Sequence, residues 1–159
     1  LRSLDDSCHL VVVGSGPQSA AFQSRVTALA LDHRVHVVPQ LRDPDTLVRL
    51  ADVVVLPGGR EPLPLLAIAA MAAAKPLGGF DTPAGEVADC VADDNTAFIA
   101  QLGDIPAMTA ALSRLTSEPH LRQEIGHDNR AKARAVRSDA TMIAAYRRLY
   151  ASALGVDEI

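Results

Sequence analysis

One glutamate lies in a segment whose residue types suit ligand chemistry. The apolar run 53–56 is bounded by turn residues, which is typical of a parallel strand buried on both faces. A Pro-Gly-Gly turn follows, then Glu61, and then Pro64, which suits the first turn of a helix because its missing N–H costs nothing there. This order predicts that Glu61 lies at the carboxyl end of a strand, beside a helix N-terminus. Ligands bind at that end of the strands in open α/β sheets, and the free N–H groups there favour phosphate.

A second turn could also approach a phosphate closely. It contains Gly14 and Gly16, follows an apolar strand and opens a helical segment. A dinucleotide cradle of this kind needs a third glycine at position 19 and an acid after the next strand. This chain has Ser19 instead, and its next strand ends in Pro39 and Gln40. These residues disfavour a nicotinamide site, while a plain Rossmann-like nucleotide-binding module that uses this glycine turn stays open.

The elements that must position these residues alternate along the chain. Apolar runs between turn residues predict strands, and amphipathic or proline-led segments predict helices. The strands fall at 9–13, 34–38, 53–56, 77–80 and 96–100, with a turn at 93–95, and the helices at 18–31, from Asp43, and at 64–74. Such a βαβα order predicts a doubly wound parallel sheet of the α/β, Rossmann-like class.

The remainder of the chain is predicted to be a helical segment. One helix, 104–115, has apolar residues at helical spacing, namely Ile105, Met108, Leu112 and Leu115. The next begins near Pro119, turns Leu121 and Ile125 inward, and has a basic face made by Arg130, Lys132, Arg134 and Arg137. We interpret that face as solvated charge, with an anionic surface as the alternative partner. The last helix, 138–154, carries one apolar stripe: Met142, Ile143, Tyr146, Leu149 and Tyr150.

Composition disfavours several classes of protein. The 159 residues suit one domain, and a hydrophobic fraction of 48% suits a folded core. A net charge of −4 without a long basic run argues against nucleic acid. Cys8 and Cys90 are isolated and the histidines have no ligand spacing, so we expect a reducing cytosol, no metal and no cofactor. No apolar run reaches the roughly 20 residues of a membrane helix.

The segment around Glu61 resembles a known family. Its residues Pro57, Arg60-Glu61-Pro62, Leu65-Leu66, Ala70-Met71-Ala72 and Lys75-Pro76 are similar to the nucleotide-sugar loop of retaining glycosyltransferases with the GT-B architecture, group 1 or family 4 type. That loop has a Glu, seven residues, and a second Glu before Ala-Met-Ala. Glu61 matches the first, whereas Ala69 replaces the second. The start of the chain, Leu1 to Leu4, resembles the end of a helix, so the family's C-terminal lobe is expected to be incomplete here.

The resemblance implies a role for each candidate residue. Glu61 is the catalytic candidate and would hold the donor sugar. The other donor-binding candidates are the cleft-lining Gly14 and Gly16, Pro39 and Gln40 near the base, the backbone N–H groups around Leu63, Leu65 and Leu66 for phosphate, Ala69 at the ribose position, and Glu86. Without the resemblance, the residues around Glu86 favour equally a second role, in which Glu86 is an acid at the start of a helix and is stabilised by the helix dipole.

The resemblance also implies the function of the whole chain. Residues 1–159 would form the donor-binding lobe for a UDP-, GDP- or ADP-sugar, and 138–155 would contact an N-terminal lobe absent from this chain. The enzyme is expected in the cytoplasm, including the inner face of the membrane, and this fragment alone is expected to be inactive. The alternatives are a degenerate, non-catalytic lobe with a structural or partner-binding role, which Ala69 favours, and the plain nucleotide-binding module.

One expectation concerns the centre of the sheet. In a doubly wound order the family's first strand lies between the strands at His9 and Val53. Because unpaired strand edges are costly in a buried sheet, we expect one of two arrangements. Either these two strands pair directly, or a second copy of the chain fills the gap by self-association.

Overall fold

The computed structural model describes residues 1–58, 65–81, 86–136 and 138–156, apart from the Glu86 side chain. Among these residues the strands are β1 (Leu10–Val13), β2 (Val35–Val38), β3 (Val54–Leu56), β4 (Leu77–Asp81) and β5 (Ile99–Gln101). The helices are α1 (Ser19–Ala28), α2 (Pro44–Leu50), α3 (Leu65–Ala72), α4 (Glu86–Cys90), α5 (Asp93–Thr96), α6 (Ile105–Ser117), α7 (Pro119–Val136) and α8 (Asp139–Leu154). The predicted parallel α/β class with a C-terminal helical segment is confirmed.

Two local predictions need correction. The segment 93–95, predicted as a turn, belongs to the short helix α5, and β5 therefore starts at Ile99 rather than at Thr96. The Asn95 side chain is the reason, because its Oδ1 accepts from the Leu77 N–H at 2.9 Å and its Nδ2 donates to the Leu77 carbonyl at 2.7 Å. This fully buried amide holds α5 against the start of β4.

All strand pairs are parallel, and the strands form two separate sheets. β1 pairs with β2 from Leu10 opposite Val35 to Val13 opposite Val38, and the second sheet has the order β3-β4-β5. β1 and β3, which lie wholly within the described residues, are not hydrogen-bonded to each other. Of the two expected arrangements, direct pairing of these strands is therefore not the one that forms. Pairing of these edges with a second copy stays a prediction.

The hydrophobic core lies around the second sheet. The larger cluster joins α2, α3, α4 and α7 to β3 and β4, with Ala67, Ala70, Met71, Leu77 and Val91 among its most buried members. A smaller cluster packs Phe98 and Leu115 of the β5–α6 region against Ile125 of α7. Leu121 packs partly buried against the smaller cluster, so the prediction that Leu121 and Ile125 turn inward is confirmed. The predicted buried face of α6 is wrong at one position, because Ile105 is 61% exposed.

Side-chain caps set several helix starts where the sequence predicts them. Asp43 accepts from the Thr46 N–H at the start of α2, Asp104 from the Ala107 N–H at α6, and Ser138 from the Thr141 N–H at α8. Hydrogen bonds from the Thr46 hydroxyl and backbone also hold the pKa of Asp43 below its ordinary value of 3.8. Within the part of the chain that the structure describes, no helix is long and apolar enough to cross a membrane.

Candidate functional site

The carboxyl ends of the three strands of the second sheet meet at one edge. Gly58, which follows β3, has a φ of +155°, and a Cβ added there would lie 3.7 Å from Leu102 Cδ1. The Leu102 N–H, just after β5, donates to the Asp81 carbonyl at the end of β4 at 3.1 Å. The chain therefore leaves β3 at this shared edge. Glu61 and Leu63 themselves lie outside the described residues, so their roles stay predictions.

Helix α3 presents an open first turn beside that edge. Leu65 is 70% exposed and Leu66 is 42% exposed, although both are apolar. Its buried face is instead made by Ala67, Ala70 and Met71. Ala69 is half-buried and does not belong to that face. The Ala69 side chain therefore keeps partial access to solvent, because the packing of α3 does not bury it completely.

The glycine turn and the residues after β2 lie at the carboxyl end of the other sheet. Gly14, Gly16, Pro39 and Gln40 are all exposed. A Cβ added to either glycine would meet nothing within 4 Å, so the space above the turn is open. The Gly16 N–H, however, donates to Ser19 Oγ at 2.9 Å. Ser19 thus engages a donor that a phosphate cradle would leave free, which gives the plain nucleotide-binding module no support.

The structure does not join these two groups of candidates. Among the described residues, no hydrogen bond links Gly14, Gly16, Pro39 or Gln40 to the first turn of α3. The two groups belong to different sheets, and each sits at the carboxyl end of its own strands. A single cleft lined by all of them remains a prediction from the resemblance.

Sequence reasoning missed one buried acid at this edge. Asp81, the last residue of β4, is only 5% exposed. Its Oδ1 accepts from the Val87 N–H at 3.1 Å, and its Oδ2 accepts from the Ala88 N–H at 3.3 Å. Asp81 therefore holds the start of α4, whose first residue is Glu86. An acid at the end of an apolar strand, shortly before a predicted helix start, was the available signal.

The basic face of α7 is not uniformly solvated. Arg130 and Arg134 are exposed, whereas Lys132 is half-buried and its Nζ donates to the carbonyls of Asp89 and Val91. The interpretation of Lys132 as solvated charge is therefore wrong, because the lysine binds the carbonyls that the end of α4 leaves unpaired. Arg137 lies outside the described residues.

No metal site emerges from the residues that the structure describes, since no group of three or more His, Cys, Asp or Glu side chains is placed to hold an ion. His9 and His36 do stack, with His9 Nδ1 lying 3.0 Å from His36 Nε2. The pair joins the start of β1 to β2 on an exposed surface, so we assign it a structural role in that sheet.

Comparison with known proteins gives these features a context. The family model for glycosyl transferases group 1 matches residues 1–132. An uncharacterized glycosyltransferase of Haemophilus influenzae is 27% identical over 122 residues, which are 77% of this chain and 34% of that protein. The fold of HepE from Anabaena, solved with UDP, matches 94% of this chain and 42% of that chain with a TM-score of 0.83 at 17% identity.

A further solved structure is limited to one domain. It is the C-terminal domain of a group 1 glycosyltransferase, LpcC, from Francisella tularensis, which matches 82% of this chain and 70% of that chain with a TM-score of 0.68 at 22% identity. The chain spans about a third of the length of the curated relatives it matches, from 31% to 39%. Because the family model covers most of the sequence, the chain belongs to the glycosyl transferases group 1 family.

Proposed function

We propose that this chain is the nucleotide-sugar-binding lobe of a retaining glycosyltransferase. The observation that carries the proposal is the fold match to the separately solved C-terminal domain from Francisella, which covers 82% of the chain. The matches to HepE, solved with UDP and with UDP-glucose, support a uridine nucleotide as the first donor to test. The nucleotide would bind at the edge where β3, β4 and β5 end, because ligands bind at the carboxyl ends of parallel strands.

The proposed chemistry divides between the phosphate and the sugar. A nucleoside diphosphate gains negative charge as it leaves, and preorganised donors stabilise that charge. The open first turn of α3, around Leu65 and Leu66, would supply backbone N–H groups to the phosphate. Glu61 would accept hydrogen bonds from the sugar hydroxyls and hold the sugar for attack.

Helix α8 would join this lobe to the rest of the enzyme. Its apolar stripe is exposed along its length, from Met142 at 54% through Tyr146 at 52% to Leu149 at 61%. Apolar patches of this kind mark interaction surfaces. We propose that residues 138–155 cover the N-terminal lobe. Transfer would then need both lobes, so the 159-residue chain alone should turn over no sugar.

Calorimetric titration of the purified chain with UDP, GDP, ADP and NAD tests the proposal. Binding of one nucleoside diphosphate, in preference to NAD, is the expected result. NAD binding would favour the plain nucleotide-binding module, and no binding at all would favour the degenerate lobe. An assay of sugar turnover by the same chain should match the control without enzyme.

The degenerate lobe is the second candidate function, and Ala69 is the observation that favours it. Alanine cannot accept hydrogen bonds from ribose hydroxyls, whereas the family pattern has a glutamate at this position. A lobe that keeps the fold but binds no donor would then have a structural or partner-binding role.

The variant Ala69→Glu separates the two functions. Because Ala69 is half-buried at the edge of the open turn of α3, a carboxylate there should reach solvent and the ribose. Charge-assisted hydrogen bonds to the ribose, after desolvation, should raise nucleotide affinity about tenfold. Ala72→Glu, at an exposed position of the same helix, is the matched control and should leave affinity unchanged. A lower melting temperature with unchanged affinity in Ala69→Glu would instead establish the degenerate lobe.

A further inference from the structure

Two histidines of the first sheet face each other on an exposed surface. His9 immediately precedes β1, and His36 is the second residue of β2, 27 positions later. Such a separation gives no ligand spacing in the sequence, so residue types alone predicted no metal there. In the structure, His9 Nδ1 lies 3.0 Å from His36 Nε2, and the rings stack with their centroids 5.2 Å apart. The pairing of β1 with β2 therefore brings two ring nitrogens to one place.

The backbone of the sheet holds this pair in register. Val11 of β1 lies opposite His36, and the Leu10 N–H donates to the Arg34 carbonyl at 2.8 Å, so the parallel ladder reaches the residue after His9. Side chains alternate between the two faces of a strand, so His9 shares a face with Val11, and His36 lies on that same face. The two imidazoles are thus positioned by backbone hydrogen bonds.

The distance between the two nitrogens suits two neighbouring ligands of one metal ion. Imidazole nitrogens bind such ions at about 2.0–2.1 Å, and at that length two nitrogens 3.0 Å apart form an angle of roughly 90–100° at the metal. This angle is close to that of tetragonal coordination, which Cu²⁺ and Ni²⁺ adopt with nitrogen and oxygen ligands. A tetrahedral ion would instead need the nitrogens about 3.3–3.4 Å apart.

We propose that His9 and His36 form a chelating site for a divalent transition-metal ion of the Ni²⁺ or Cu²⁺ type. The ion would bind the lone pairs of His9 Nδ1 and His36 Nε2, and each ring would carry its proton on its other nitrogen. No group of three or more ligating side chains is placed to hold an ion among the described residues, so water would complete the coordination. Both histidines are exposed, which lets the ion and this water enter.

The neighbouring charges permit a cation at this position. Arg34, two residues before His36, is itself a cation, but its Nη1 forms an ion pair with Asp6 Oδ1 at 3.0 Å. The Asp6 carboxylate therefore offsets the repulsion between Arg34 and a metal ion.

A bound ion would link β1 to β2 at the start of both strands. Neither strand contributes to the hydrophobic clusters, so the link should stabilise this sheet in particular. Gly14 and Pro39 follow the opposite, carboxyl ends of the same strands. The metal would thus bind away from the proposed nucleotide edge, and the inference does not depend on the proposed function.

The test titrates the full 159-residue chain, purified without a polyhistidine tag, with NiCl₂ by calorimetry. One Ni²⁺ per chain should bind, and His9→Gln and His36→Gln should each weaken binding about tenfold or more, because a single imidazole cannot chelate. The double variant should lose no more affinity than either single variant, because both side chains belong to one site. His33→Gln, at an exposed histidine three residues before His36, is the matched control and should leave the affinity unchanged.

A second control concerns the competing exposed pair on α7, where His120 Nδ1 lies 3.3 Å from Glu124 Oε1. His120→Gln should leave the Ni²⁺ affinity unchanged. Amide hydrogen exchange gives a readout at the site itself, since saturating Ni²⁺ should slow exchange at Val35 to Val38 in the unmodified chain and not in His36→Gln.

The opposite results would overturn the inference. Absence of Ni²⁺ binding, unchanged affinity in His9→Gln or His36→Gln, or a comparable loss in His120→Gln would each exclude this site. Unchanged exchange at Val35 to Val38 would exclude the link between the strands. Titration with UDP bears on the proposed function alone, so the two can fail separately.

Discussion

At the scale of single residues, two alanines occupy a backbone conformation that usually favours glycine. Among the described non-glycine residues, Ala30 and Ala74 have positive φ, at 55° and 58°. Ala74 lies two residues after the end of α3, with its own N–H donating to the Met71 carbonyl and the Lys75 N–H donating to the Ala70 carbonyl. This pair of bonds is a Schellman motif, in which the left-handed residue is commonly glycine.

The variant Ala74→Gly should therefore stabilise the protein. Relief of the left-handed strain is worth about 1–2 kcal/mol, and the added freedom of glycine in the unfolded chain removes about 0.4–1 kcal/mol of it. We expect a net gain of about 0.5–1 kcal/mol, measured as a higher midpoint of urea unfolding. The control Ala131→Gly, at an exposed position within α7, should instead lose about 1 kcal/mol. A loss in both variants would contradict the strain argument.

At the scale of elements, α7 packs very closely against the turn that follows α3. A Cβ added to Gly126 of α7 would lie 2.1 Å from the Ala74 carbonyl oxygen and 2.8 Å from its carbon. Both atoms belong to the backbone, so neither can turn aside. Asn129, one turn later, donates to the Lys75 carbonyl at 3.0 Å and locks the register of the two helices.

Replacing Gly126 with alanine should separate these helices. The overpacking should cost about 3 kcal/mol or more of unfolding free energy, because α7 must shift away from the end of α3 and strain the Asn129 bonds. Chemical denaturation measures the loss. Gly16→Ala is the control, since its Cβ would meet nothing within 4 Å and the change should be neutral or slightly stabilising. Similar stabilities for Gly126→Ala and the unmodified chain would contradict this close packing of α7 against the turn after α3.

At the scale of the whole molecule, stability is distributed unevenly. Both hydrophobic clusters are built from residues at or after Val48, so β1, α1 and β2 contribute to neither. Val26 and Val35 are buried in this region outside both clusters, and the buried Arg34 adds polar contacts, with its Nε donating to the Cys8 carbonyl at 2.9 Å. Val11 and Val13 of β1 are more than 40% exposed, at 41% and 44%.

This distribution predicts two levels of protection in native-state amide exchange. Segments with few buried apolar contacts open at lower free energy than the core. The amides of Val35 to Val38 should therefore exchange faster than those of Leu77 to Phe80, although both strands are paired in parallel sheets. Arg34→Met should widen the difference further. Equal protection of the two strands would show that the first sheet unfolds only with the whole chain.

The local features of this protein could be read from its residue types and their spacing. Alternating apolar runs and cap residues are local signals, so the strands other than the start of β5, the helix starts at Asp43, Asp104 and Ser138, and the parallel α/β class could be predicted. The order of residues around Glu61 also indicated a ligand-binding edge and the glycosyltransferase family. Helical spacing alone, however, placed Ile105 in the core, and the structure leaves it exposed.

How distant segments meet depends instead on packing between elements, which residue types do not specify. The separation of β1 from β3 depends on which edges pair, and apolar strands carry no signal for a partner. The roles of Asp81 and Lys132 at the two ends of α4 depend on contacts between elements up to 43 positions apart in sequence. From sequence alone a charged residue is predicted to be exposed to solvent. Whether it is buried depends on how distant elements pack around it. These contacts, and the half-buried state of Ala69, could not have been derived from residue types and spacing.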